Sequence, residues 1–266
     1  MKIVLILNDA TLVAFAWVVL FDSIVLSIGF IYFYINSNLS LKVWRFNFKL
    51  SRKLLKSSYP LIFSSLFISI YMKIDQVMIG EYLGVYSVGL YAATIKLILA
   101  VNFIGSVIVK SLFPSLINSI NNIKETRYKF EKIFQLLSII GLAFTAFFIL
   151  FSERIITIVY GDNYSGASEI MYFYSFTIVF VYFGLVTSQY LIASHSESLI
   201  MYRMMMGAFI NVVLNIVLIQ AYGLIGAAIA TLAAQIFTSV AFNLFNTKTR
   251  FLFLIQLKSI FLLNIK

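Results

Sequence analysis

The stretch YPLIFSSLFISIYMKIDQVMIG, residues 59–80, is apolar along its length except where it carries Lys73 and Asp75. A transmembrane helix needs about 20 mostly apolar residues, so this is a membrane-spanning segment with two charges inside it. One charge at a helix centre costs about 2.5–3.5 kcal/mol on insertion scales. Residues two apart do not face each other on a helix; neighbours stand three or four apart. Lys73 and Asp75 therefore each need a partner, a water-filled cavity or a cargo elsewhere.

The whole chain has the composition this segment implies. It is 62% hydrophobic and 11% charged over 266 residues, whereas a soluble domain is about half apolar and about a quarter charged. Apolar runs predict seven spans near 11–35, 58–80, 88–113, 133–152, 170–191, 202–220 and 223–245. The fold class is therefore all-α, a polytopic membrane protein with about seven transmembrane helices. The last stretch, FLFLIQLKSIFLLNIK (251–266), is short and basic and reads as a helix lying in the membrane interface.

Charge distribution orients the spans. The loop after the first span holds Lys42, Arg45, Lys49, Arg52, Lys53 and Lys56. The region 114–132, Arg203 beside the 192–203 loop, and the tail with Lys248, Arg250, Lys258 and Lys266 are also basic. The alternate loops hold Glu81, Glu153, Asp162 and Glu169, with Arg154 the one base. Basic loops face the cytoplasm, which puts the C-terminus there and runs the first span inward. The net charge of +10 then reflects topology, and no nucleic-acid partner is implied. Residues 1–10 would begin outside with no clear signal peptide, so earlier spans are expected before them. Residues 36–57 read as a basic amphipathic cytoplasmic linker held on anionic headgroups, with admission of an anionic cargo as the sharper alternative. Pro60 is expected at the start of the second span.

Inside the membrane, Asp75 and Lys96, on the span returning from the outside, fall at similar depth. They could form an ion pair across that hairpin, as part of a cation-lined cavity with a titratable acid. The lysines could also snorkel to the surface. Asp22, in VVLFDSIVLS, is either an ion site or a protonated, hydrogen-bonded acid. Asn211 and Asn215 stand at i, i+4 and read as interhelical contacts or cavity lining, as do Gln189 and Gln235. The small residues of YGLIGAAIATLAAQ (222–235) let helices approach closely. With no cysteine, one histidine and no nucleotide or nucleophile motif, the chain is expected to be no enzyme and to hold no cofactor or metal. Any transport would be secondary or passive.

The segments YPLIFSSLFISIYMKIDQVMIGEYLG, YSVGLYAATIKL, SLFPSL (111–116), IVYGDNYSGA (158–167) and GAFINVVLNIVLIQAYGLIGAAIATLAAQ (207–235) together resemble bacterial polysaccharide flippases. These are the O-antigen and teichoic-acid type of the multidrug/oligosaccharidyl-lipid/polysaccharide (MOP) exporter superfamily. That resemblance implies two six-helix lobes around a cationic cavity. Residues 1–35 would hold the last helix of the first lobe, 36–57 the linker, 58–245 the second six-helix lobe and 246–266 a basic tail. It further implies a multi-pass protein of the bacterial cytoplasmic (inner) membrane, serving surface polysaccharide or lipopolysaccharide synthesis. The cargo would be an undecaprenyl-diphosphate-linked oligosaccharide, with polysaccharide polymerase or chain-length machinery as further partners. Lys73 and Lys96 match the cationic cavity, and Asp75 and Asp22 fall where the family carries acids. Departures are Leu99, where many members have an acid, and Gly105, where they have proline. The rival expectations are a drug or cation exporter of the same superfamily, and a non-transporting remnant or half-transporter needing a partner lobe.

Overall fold

In the computed structural model the described residues are 11–37, 45–119 and 123–260, together with Leu5. Residues 1–4, 6–10, 38–44, 120–122 and 261–266, with the calls that rest on them (Lys42 and Lys266 among them), lie outside this set. Every regular element among the described residues is helical. The chain divides into two units, Met1–Lys56 and Ser57–Lys266.

In the first unit α1 (Leu12–Asn36) is a 25-residue apolar helix. Ser23 and Ser27 bond back to the carbonyls four residues earlier, at 2.9 and 2.8 Å. That removes their hydroxyls from the list of unpaired polar groups, as lipid demands. Asp22 is exposed on this helix.

The long helix α2 (Phe48–Leu83) begins in the first unit and runs into the second. The linker expected over 36–57 is thus helical from Phe48 onward. Pro60 lies inside α2, buried, rather than at its start.

A single residue, Gly84, separates α2 from α3 (Val85–Ser119). Its φ of 84° is the left-handed conformation that ends helices and that glycine adopts without a Cβ clash. Helix α4 (Ile123–Tyr160) follows. The expected span at 170–191 is two pieces, α5 (Ala167–Ser175) and α6 (Thr177–Ala193), bent by 42° at Phe176. Among the described residues five helices are long and apolar enough to cross a membrane, and the bent pair makes a sixth.

One of the five, α7 (Glu197–Ser239), is itself a hairpin. Gly223 has φ 59° and ψ −134°, which breaks the helix. A Cβ on Gly226 would sit 1.9 Å from the Leu218 carbonyl oxygen. In a straight helix residues eight apart are about 12 Å apart, so the chain has folded back. A Cβ on Gly207 would likewise meet Thr238 Cγ2 at 2.2 Å. Arms 197–222 and 224–239 therefore run antiparallel.

The second unit packs its core between α3, α4 and α6: Tyr91, Ile98, Phe134, Leu137, Phe183 and Val186 are buried. The Phe134 and Phe183 rings meet edge-on at 5.1 Å. Lipid is as apolar as these side chains, so close packing rather than water exclusion selects this face. Helix α8 (Arg250–Ile260) turns Leu252, Ile255, Gln256 and Ser259 inward and leaves Leu254, Leu257 and Lys258 exposed.

Candidate functional site: a buried acid between three helices

Of α2, only Pro60, Ser64, Asp75 and Ile79 are buried. Asp75 is 2% exposed. Its Oδ2 accepts from Tyr91 Oη on α3 at 2.9 Å and from Thr231 Oγ1 on the second arm of α7 at 2.5 Å. Its Oδ1 accepts from Asn215 Nδ2 on the first arm at 2.5 Å. Asn215 Nδ2 also reaches Asn211 Oδ1, one turn earlier, at 3.2 Å. The hairpin at Gly223 brings the two arms level: Asn215 and Thr231 each stand eight residues from the turn. One turn back on α2, Tyr71 Oη lies 3.0 Å from Gln235 Oε1 and 3.1 Å from the Thr231 carbonyl.

Among the described residues Asp75 has no cation partner, so the expected Asp75–Lys96 ion pair does not form. The reason is helical geometry. Lys96 is five residues beyond Tyr91, about 140° around α3 at about 100° per residue. When Tyr91 faces Asp75, Lys96 points away. Lys73 and Lys96 are both exposed. Lys96, Phe103 and Lys110 repeat every seven residues along one exposed stripe of α3, whose lysines are about 21 Å apart along the axis.

The Asp75 cluster is rich in oxygen. Thr231 Oγ1 and Tyr91 Oη lie against the carboxylate, Asn211 Oδ1 lies one step out against Asn215 Nδ2, and the Ala227 carbonyl lies 3.0 Å from Thr231 Oγ1. Two amide atoms, Asn215 Oδ1 and Asn211 Nδ2, are buried without a hydrogen-bond partner. Native proteins leave few buried polar atoms unpaired, and each such atom calls for an explanation.

A second buried cluster lies where the second arm of α7 ends, eight residues beyond Thr231. Asn243 Nδ2 donates to Gln256 Oε1 and to the Ser239 carbonyl, both at 3.0 Å. Gln256 Nε2 donates to Thr187 Oγ1 at 3.1 Å and to the Ser239 carbonyl at 3.0 Å. It ties α6, α7 and α8 together and contains no charge. Arg203, expected beside a loop, is fully buried and donates to Ser188 Oγ at 2.5 Å. Gln189 is half-buried on α6, apart from the Asp75 cluster.

Comparison with known proteins places the chain. A family model described as "Polysaccharide biosynthesis protein" matches residues 1–169. The chain belongs to that family. The "Probable low-salt glycan biosynthesis flippase Agl15" of Haloferax volcanii is 24% identical over 199 residues, 73% of this chain and 42% of that protein. A solved structure described as the outward-facing conformation of a multidrug resistance MATE family transporter of the MOP superfamily has 18% identity and a TM-score of 0.60. That match covers 77% of this chain and 49% of the transporter, and it shows the MOP-type fold. The chain thus spans less than half the length of either protein. It is an all-helical, multi-pass membrane member of the polysaccharide biosynthesis protein family.

Sequence reasoning singled out Asp75, Asn211, Asn215 and Gln235, and the structure brings all four into contact with the same three-helix junction. It does not bring Lys73, Lys96 or Gln189 there. It adds Tyr71, Tyr91 and Thr231. Tyr71 stands at i−4 to Asp75, a spacing that could have drawn attention to it. Thr231 lies in a small-residue run that reads as packing alone.

Proposed function

We propose that this chain forms one part of a polysaccharide flippase. The cargo is an undecaprenyl-diphosphate-linked oligosaccharide, moved by alternating access from the cytoplasmic to the outer leaflet of a bacterial inner membrane. Residues 58–245 act as the second lobe, residues 1–35 hold the last helix of the first, and the C-terminus is cytoplasmic. Polymerase or chain-length machinery would receive the exported units.

The observation that carries this reading is Asp75, an intramembrane acid held by three neutral donors and, among the described residues, no cation. Intramembrane ionisable groups mark ion and substrate paths. Hard oxygen donors around a carboxylate suit a proton or a small cation such as sodium. Binding there would draw α2, α3 and both arms of α7 together, and release would free α2, which has little other buried surface. Lys73 and Lys96 then serve the diphosphate from the exposed faces of α2 and α3, with Lys110 on the same stripe. Those lysines oppose a cation exporter.

The test is surface polysaccharide export in a bacterial strain lacking its own flippase, with the chain supplied alone or with a first-lobe chain. Export should require Asp75 and weaken in Lys96→Met. Unchanged export in Asp75→Asn and Lys96→Met would remove both roles. No export under either condition, from a chain that is made and inserted, would favour the non-transporting remnant.

A further inference from the structure

The start of α4 and the outer face of α8 enclose an open groove of about 890 Å³, lined by Lys124, Arg127, Tyr128, Glu131, Leu254 and Lys258, with Ile255 at its floor. Lys124, Arg127 and Glu131 share one face of α4 by their spacing of three and four residues. Three cations face one acid. The neighbouring basic residues of α4 are already occupied. Lys129 pairs with Glu125 at 2.8 Å and donates to the Ser115 carbonyl at 3.0 Å. Lys132 sits over the Tyr128 ring, 5.6 Å from its centroid. Among the described residues no salt bridge neutralises Lys124, Arg127 or Lys258.

On the other side of Tyr128 lies a second, smaller groove of about 210 Å³ between α3 and α4. Its walls are Leu112, Leu116, Ile133 and Leu136, with Lys129 and Lys132 among the residues that line it. A cationic recess and an apolar trough therefore meet at one tyrosine, at the basic end of a membrane bundle.

We propose that this pair of grooves binds an anionic phospholipid of the leaflet at the basic end. Lys124, Arg127 and Lys258 hold the phosphodiester headgroup, and an acyl chain lies along Leu112, Leu116, Ile133 and Leu136. Basic recesses between membrane helices suit anionic headgroups, and each basic side chain near such a surface contributes by charge attraction. The lipid would tie α8 to α4 and fix the α3–α4 corner. This site is separate from Asp75 and from the lysine stripe, so it stands or falls independently of the transport reading.

The experiment measures binding of dioctanoyl-phosphatidylglycerol, dioctanoyl-phosphatidylcholine and inorganic phosphate to the purified full chain in neutral detergent. Phosphatidylglycerol should bind at least about tenfold more tightly than phosphatidylcholine. Lys124→Gln/Arg127→Gln/Lys258→Gln should abolish that preference. Glu131→Gln removes the one acid and should strengthen it, which keeps the proposal testable should the triple variant fold poorly. Equal binding of the two lipids, or a preference that survives the triple variant, overturns the proposal. Inorganic phosphate competing as well as phosphatidylglycerol would assign the groove to a soluble phosphate and overturn the lipid.

Discussion

The two buried polar clusters differ in charge and in completeness. The Asn243–Gln256–Thr187 cluster is neutral, and its donors end on carbonyl or hydroxyl oxygens, with Asn243 Oδ1 its one unpaired atom. The Asp75 cluster holds an acid with no cation partner among the described residues and leaves one amide donor and one amide acceptor unpaired. A neutral amide network is sufficient to dock a short helix such as α8. A carboxylate is not needed for docking, and burying one is costly unless it is paired. On the proposed reading, the comparison separates a joint that only holds from one that takes up and releases a cation.

Gly226→Ala should break both clusters at once. The added Cβ meets the Leu218 carbonyl oxygen at 1.9 Å, so the arms must separate. Those arms carry Asn215 and Thr231 to one cluster and Ser239 to the other. The chain should fail to accumulate as a folded species, seen as loss of monodisperse protein after detergent extraction. Normal folding would mean the hairpin is not the shared frame.

Asp75→Asn should split the two properties. Side-chain volume is kept and the charge is lost. Polysaccharide export per folded molecule should drop at least about tenfold, as expected for removal of an intramembrane functional acid, with thermal stability nearly unchanged. Gln256→Leu should do the reverse. It removes the hydrogen bonds that Gln256 makes with Asn243 and Thr187, at about 1 kcal/mol each, while Asn243 keeps the Ser239 carbonyl and Thr187 the Phe183 carbonyl and export per folded molecule persists. Both outcomes are read by scaling export to the amount of folded protein. Tyr71→Phe should have the smallest effect, about 1 kcal/mol for one hydrogen bond, with a matching small fall in melting temperature. A large export defect in Tyr71→Phe would bring that hydroxyl into the charged cluster.

The apolar, membrane-length helices were legible in the sequence because lipid imposes a length and a composition on every span. Asp75 was legible for the same reason: a charge in a span has to be explained. Its partners were harder to read. Lys96 is near the right depth but about 140° from the needed face, and depth is easier to extract from a sequence than rotation. Tyr91 and Thr231 are ordinary residues until the turns at Gly84 and Gly223 set which faces meet. Arg203 was assigned to a loop because a basic residue at a span end usually lies there, and only the packing of α6 against α7 shows it buried. The bend at Phe176 has no glycine or proline to announce it. The continuation of α2 through Pro60 runs against the usual reading of that residue.

In the proposed mechanism the Asp75 cluster takes up a cation and the Gln256 cluster does not. The direct measurement is the melting temperature of the purified chain against Na⁺ and proton concentration at fixed ionic strength, for wild type, Asp75→Asn and Gln256→Leu. A ligand that binds only the folded state raises stability as its concentration rises. The account predicts a cation-dependent shift in wild type and Gln256→Leu that is absent in Asp75→Asn. A wild-type melting temperature indifferent to both cations, or a shift that Asp75→Asn retains, would contradict it.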